Sequence, residues 1–366
     1  MSIVRRRTEN DTLFFTIENL NVSYVNSIRR IILGEIPCIG FKTFPYEEND
    51  ATIFKNTCRL NNEIIKQRLS CVPVNIDDTS MPIDDYVVEI NKTNNTESVI
   101  YVTTEDFKIK NKSTGKYLSK EDQESIFPKN SLTKQYIDFV RLYPKVSDKN
   151  DGESLHLECM FSINKAEDNG VYNVVSACSY SNTKDPIAIE SAWIEEEKKT
   201  KDLPKDERVL YKQNWLLSDA LKYFKQDSFD FLVKGIGVFS NEKLLHKACD
   251  ILESKINTFK SSINDQTIKI NASETTLTNG YDITLINEDY TLGKVLEFEL
   301  YSNYYQGKKY LSFCGFKKMH PHDTDSIIRI GFKNEVEKSA IYDILKDIAD
   351  NALNKVSNLK KNFKDV

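Results

Sequence analysis

The chain has 366 residues, 40% of them hydrophobic and 29% charged, with a formal net charge of −5. That length supports two or three domains with separate cores, and the acidic balance disfavours direct binding to phosphate backbones. No run approaches the roughly 18 apolar residues of a membrane span, and Met-Ser-Ile-Val-Arg-Arg-Arg at the N-terminus lacks a signal-peptide core, so a soluble intracellular protein is expected.

In chain order, a strand over 12–18 leads into the stretch 22–37, which carries a short helix of about three turns. Ser23 is its expected N-cap, Gly34 its stop, and Pro37 follows where a helix cannot continue. Tyr24, Val25, Ile28, Ile31 and Ile32 fall within an arc of about 120°, the width of a core-facing stripe. Asn26 and Arg30 lie opposite, with Arg29 at the stripe's edge. Extended segments are expected over 36–44 and 51–55. A second short helix over 60–69 places Leu60, Ile64, Ile65 and Leu69 on one side before Pro73 forces extension. Between 75 and 225, acidic turns (Asp77-Asp78, Asp84-Asp85) and short alternating strands over 86–90, 99–103, 155–163 and 172–178 predict a β-rich insert. Within it the mixed charge run 195–208, which contains Pro204, is expected to be an exposed loop.

A strand over 228–239 and a long helix from Ser240 to about 259 follow, the helix carrying Leu244, Leu245, Ala248, Ile251, Leu252 and Ile256. After a polar linker over 261–266 the pattern restarts with strands over 266–270 and 281–286 and then a second short helix. Superposing Ser23 on Thr291 also aligns Asn26 with Lys294, Ile28 with Leu296 and Ile32 with Leu300. Leu292, Leu296 and Leu300 form its stripe, and Gly293 leaves room for another backbone. Strands over 310–314 and 327–332 precede a final amphipathic helix through Val336, Ile341, Ile344, Leu345, Ile348, Leu353 and Val356. Each end therefore supplies a strand, a short helix with one apolar face, more strands and a long helix. Two such halves can complete one another helix against helix.

The expected class is α+β: a pseudo-symmetric pair of dimerisation domains in one chain. The first domain comprises 1–74 and 226–262, the insert 75–225, and the second domain 263–366. The expected internal interface is Tyr24, Val25, Ile28, Ile31, Ile32, Leu244, Leu252, Leu292, Gly293, Leu296, Leu300, Ile341 and Ile348.

The run Asn26-Ser27-Ile28-Arg29-Arg30 with Glu35-Ile36-Pro37 resembles the Asn-Ala-Leu-Arg-Arg signature of the assembly subunits of cellular RNA polymerases: bacterial alpha, archaeal D and the third-largest subunit of nuclear RNA polymerase II. The segment from Asn62-Glu63 through Arg68-Leu69 to Pro73 resembles the same family's Asp-Glu-X-X-X-X-Arg-Leu-Gly-X-X-Pro. Near the other end, Glu288-Asp289-Tyr290-Thr291-Leu292-Gly293-Lys294 is similar to the Glu-Asp-His-Thr-Leu-Gly-Asn of the small partner, the eleventh subunit or archaeal L. Gly315-Phe316 with His320-Pro321 resembles that partner's Gly-Tyr and His-Pro. Ser70 and Lys294 depart from the family's Gly and Asn.

The resemblance implies a fusion of the two partners, as in polymerases of large cytoplasmic DNA viruses. It implies a non-catalytic platform that recruits the largest and second-largest polymerase subunits and a small tenth-subunit-like zinc protein. Asn26, Arg29, Arg30, Glu63 and Arg68 would face the large subunits. Location would then be the host cytoplasm and virion if viral, and the nucleus otherwise.

Other chemistry has little support. No Walker loop, GxGxxG, HExxH or GxSxG occurs. The seven scattered cysteines fit a reducing compartment, without the spacing of a zinc site. His156 and Cys159, three apart in a strand, point to opposite faces. No catalytic residue, cofactor or metal is expected. The alternatives are a stand-alone nucleic-acid-binding module using the basic runs at 5–7 and 355–364, read otherwise as solvated termini, and a thiol- or metal-dependent enzyme built on Cys249 or His320.

Overall fold

A computed structural model describes residues 1–145, 147, 151–201 and 203–364. Residues 146, 148–150 and 202 of the expected insert, and 365–366 of the expected last domain, lie outside the described residues. The chain divides into two compact units. One is Met1–Leu33 with Ala177–Gly235 and Asn241–Val366; the other is Gly34–Ser176 with Ile236–Ser240.

The chain begins with β1 (Ser2–Glu9), β2 (Thr12–Glu18) and α1 (Val22–Gly34). There follow β3 (Cys38–Gly40), β4 (Ala51–Asn56), α2 (Asn62–Ser70), β5 (Tyr86–Thr93), β6 (Ile100–Thr103), β7 (Lys108–Asn111), α3 (Lys120–Ile126), β8 (Asp138–Leu142), β9 (Ser154–Met160) and β10 (Ser162–Asn164). Next are β11 (Val175–Lys184), α4 (Pro186–Glu197), α5 (Lys205–Leu217), β12 (Phe224–Gly235) and α6 (Asn241–Asn264). The last elements are β13 (Ile270–Ala272), β14 (Gly280–Leu285), α7 (Tyr290–Leu300), β15 (Leu311–Lys317), β16 (Ser326–Phe332) and α8 (Lys338–Lys364).

The first unit holds two four-stranded sheets, ordered β1-β2-β12-β11 and β13-β14-β16-β15. In the first sheet the register pairs Leu13 with Val233, Phe15 with Phe231 and Ile17 with Phe229. All six are buried, because alternate residues of a strand share one face. The Phe15 and Phe231 rings stack at 5.2 Å, and Phe363 of α8 meets Phe15 edge-on at 5.7 Å. Helices α6 and α8 pack along one another and α7 packs against both. Helical spacing produces this, since Leu244, Ala248, Leu252 and Ile256 of α6 and Ile341, Leu345, Ile348, Ala352 and Val356 of α8 are each fully buried.

The second unit is built on the sheet β4-β9-β5-β7 with the two-stranded pairs β10-β3 and β6-β8. Ile65 and Leu69 of α2 join its core beside Phe41, Phe107, Phe127, Phe139 and Phe161. Ile64, expected on the same side, is exposed.

Several expectations are corrected. The compact units divide at Gly34 and Ser176, not at 75 and 225, because β3 pairs with β10 and β4 with β9. Residues beyond 176 join the first unit through β11, beside β12. The run 195–208 is mostly helical: it spans the end of α4 and the start of α5. Pro204 is the residue preceding α5, and Pro186 opens α4 after Asp185, whose carboxylate accepts from the Ile187 and Ala188 amides. Trp193 and Trp215 hold the two helices together, ring centroids 5.3 Å apart. In α1 the cap is Asn21, which accepts from the Ser23 amide at 3.0 Å, so the helix begins one residue before the expected cap. The Ser23 hydroxyl is buried without a hydrogen-bond partner among the described residues. Within the basic 355–364 run, Lys355 pairs with Glu299 and Lys360 with Asp250 and Glu253, while Lys361 is exposed.

Candidate functional site

The expected stripe of α1 is completely buried: Tyr24, Val25, Ile28, Ile31 and Ile32 are all inaccessible. So are Leu244 and Leu252 of α6, Leu292, Leu296 and Leu300 of α7, and Ile341 and Ile348 of α8. All these residues belong to the first unit. Each branched side chain contributes roughly 1.5–3 kcal/mol as an upper estimate. Apolar stripes alone can slide or rotate, so the register between α1 and α7 needs directional contacts.

Three such contacts cross from α1 to α7. The Tyr24 hydroxyl donates to Glu299 Oε1 at 2.6 Å. Ser27 Oγ lies 2.6 Å from the Thr291 carbonyl oxygen and 2.7 Å from that of Ser23, and its single proton serves one at a time. Arg30 donates through Nε to Thr291 Oγ1 at 3.0 Å and forms an ion pair with Asp289. Asp289 also caps α7, accepting from the Thr291 amide at 2.8 Å. Arg30, expected to face a partner, is therefore committed within the chain.

Glu299 is 0% exposed and also accepts from Lys355 of α8 at 2.6 Å and from Asn303 at 3.0 Å. A buried carboxylate is tolerated only when its oxygens are paired in this way. Lys355 also lies over the Phe298 ring at 5.0 Å. Burial, followed by the Glu299 carboxylate, pushes the Tyr24 phenol well above its ordinary value, which keeps it a donor. Burial pushes the Asp289 carboxyl up, but the Thr291 amide and hydroxyl and the Arg30 guanidinium outweigh it, so it titrates below its ordinary value.

Sequence reading missed Glu299. The signal was present: it lies seven residues after Leu292 and three after Leu296, inside the helix stripe. Gly293 does leave room, but for a side chain rather than a backbone. A Cβ there would come within 2.0 Å of the Phe316 ring.

The expected partner-facing residues are not gathered in one place. Arg29 donates to Asn26 Oδ1 through Nε at 3.1 Å and Nη2 at 3.0 Å. Asn26 borders a cleft of about 470 Å³ shared with Tyr180, Lys294, Glu297, Phe298 and Tyr301. In the second unit Glu63 lies in the first turn of α2, where the helix dipole favours a carboxylate. It lines a cleft of about 940 Å³ with the exposed rings of Phe44 and Tyr46. Arg68 donates to the main-chain oxygens of Phe139 at 2.7 Å and Asp138 at 3.0 Å, tying α2 to β8.

Among the described residues no group of three or more His, Cys, Asp and Glu side chains could hold a metal ion. Cys249 is fully buried and its thiol is pushed up by burial, the reverse of what a thiolate nucleophile needs. No helix among the described residues is long and apolar enough to cross a membrane.

Comparison with known sequences points the same way. The family model of the RNA polymerase Rpb3/Rpb11 dimerisation domain matches residues 14–256. DNA-directed RNA polymerase subunit Rpo3 of Methanosphaera stadtmanae is 24% identical over 184 residues, 49% of this chain and 60% of its own. Subunit Rpo3 of Pyrococcus horikoshii is 28% identical over 103 residues, 27% of this chain and 37% of its own. A conjugation stage-specific protein of Tetrahymena thermophila is 38% identical over 72 residues, 20% of each chain. The chain thus spans less than two thirds of the length of these relatives.

Proposed function

Because the chain belongs to the RNA polymerase Rpb3/Rpb11 dimerisation-domain family, we propose that it is a non-catalytic assembly subunit of a DNA-dependent RNA polymerase. The two short helices α1 and α7 act as the halves of a pseudo-symmetric pair carried on one polypeptide, and the finished pair recruits the largest and second-largest subunits. The observation that carries this reading is the clasp from Tyr24, Ser27 and Arg30 to Glu299, Thr291 and Asp289. A contact normally made between two proteins is thereby made within one. Covalent fusion gives the partners an effective concentration on the order of millimolar, so the docking surface is ordered before any large subunit arrives.

In this proposal Asn26, Arg29, Glu63 and Arg68 are the recruiting residues, and Arg30 holds the pair together. Arg29 suits such a contact because its planar fork matches carboxylates or carbonyls in fixed geometry. A small tenth-subunit-like zinc protein would join the assembly. The similarity of 288–294 to the small partner supports a fusion of the type made by large cytoplasmic DNA viruses, acting in the host cytoplasm and virion. The test is affinity purification of the tagged chain from the cells in which it is naturally expressed. The two large subunits should accompany it, and Arg29→Glu should reduce their recovery several-fold without changing the chain's melting temperature. Recovery of neither large subunit by the unaltered chain would refute the assignment.

A further inference from the structure

The second unit carries a cleft in which Arg59 and Arg141 have no part in the assembly contacts proposed above. Beside the strand pair β6-β8 lies a cleft of about 420 Å³ whose lining includes Arg59, Arg68, Arg141, Tyr101, Tyr143 and Asp138. The Arg59 guanidinium stacks on the Tyr143 ring at 3.8 Å from its centroid, and that of Arg141 lies over Tyr101 at 5.4 Å. A guanidinium held by its face against a ring keeps its N–H edge available for a carboxylate. Among the described residues the one ion-pair partner of Arg59 is Glu153, at 3.8 Å, and the Arg59 side chain is 70% exposed. Among the described residues Arg141 has no ion-pair partner, and Arg68 is held through main-chain oxygens. Among the described residues, three guanidinium groups thus border a cleft whose nearby carboxylates are Asp138 in the lining and Glu153 beside Arg59.

We infer that this cleft is a docking site for a short acidic peptide segment of a partner protein. Charge complementarity demands an anion, and the stacked arginines offer carboxylate-width forks at fixed positions. The acidic balance of the chain favours a local contact over nucleic acid, which needs a broad basic footprint. The tyrosines also favour peptide, since each already has a face covered by guanidinium and offers less surface for base stacking. This inference does not depend on the assembly reading, because it rests on Arg59 and Arg141, which that reading does not use, and is tested on the chain alone.

The test is fluorescence anisotropy with a labelled peptide of about six Asp and Glu residues between Gly-Ser flanks, compared with a Gly-Ser peptide and an oligouridylate of similar charge. The acidic peptide should bind, and should weaken as salt rises from about 50 to about 300 mM. The double variant Arg59→Glu with Arg141→Glu should lower affinity at least about tenfold, while the exposed pair Lys116→Glu with Lys201→Glu should not. The neutral double variant Arg59→Gln with Arg141→Gln should give an intermediate loss. A photo-crosslinking version of the peptide should label the segments around 59, 101 and 138–143. Absence of acidic-peptide binding, equal binding to the Arg variants, crosslinks elsewhere, or tighter arginine-dependent binding of the oligouridylate would each overturn the proposal.

Discussion

In the first unit the Glu299 carboxylate lies buried between Tyr24, Asn303 and Lys355, whereas in the second the guanidinium groups of Arg59 and Arg141 rest on tyrosine rings at the surface. The difference follows from what holds each unit in register. β4, β9, β5 and β7 are aligned by backbone ladders, and a slip of one residue would turn every core side chain outward. Charged groups are then free for the surface. The helices α1, α6, α7 and α8 meet through apolar stripes that tolerate rotation and sliding. There a buried polar clasp specifies one arrangement, as an isolated polar group can in a helical bundle.

The contrast can be broken most strongly at the two cores. Ile28→Asp should cost more than about 4 kcal/mol by burying an unpaired carboxyl. Hydrogen exchange should show lost protection in α1, α7 and α8, with the β4-β9-β5-β7 sheet still protected. Phe107→Ala should cost about 3–5 kcal/mol and reverse that pattern. Protection lost everywhere in both variants would mean that the units do not fold separately.

The clasp comes next. Lys355→Met leaves Glu299 buried without its cation and should cost about 2–3 kcal/mol, moderated by the partial exposure of Lys355. Adding Glu299→Leu should recover most of that loss in a denaturant melt. Gly293→Ala, which must displace the Phe316 ring, should cost about 1–2 kcal/mol. The smallest effect is expected at Asp289. Its folded carboxyl titrates below the unfolded value of about 3.9, so its contribution is present above about pH 4 and lost as pH falls through the folded value. Solvent screening limits it to under about 1 kcal/mol. Thermal melts of Asp289→Asn should accordingly lie below the parent at pH 7 and converge with it in acid.

The helices of the seam were legible because a period of 3.6 can be counted along a single segment, as Ile28, Ile32, Leu296 and Leu300 show. The contact of Arg30 with Asp289 was not legible, because the wheel locates a Cα opposite the stripe and not the far end of a long side chain that can reach back. The pairing of β4 with β9 was not legible, since it joins segments about a hundred residues apart through backbone groups every sequence possesses. Helices α4 and α5 were hidden by reading 195–208 for charge alone. The Asp185-Pro186 start signal was available, and Lys198 and Lys199 make their ion pairs with Glu195 and Glu196, three residues back.

The clasp between Tyr24 and Glu299 joins residues separated by 275 positions. At about 5–20 residues per second, a ribosome needs roughly a quarter of a minute to a minute to make that span. Until then the nascent α1 lacks α7, while Gly34–Ser176 emerges almost whole before α7 does and can close on itself. A contact between helices so far apart in one chain therefore imposes a wait on the first of them. During that wait chaperones have their longest access to the N-terminal helix.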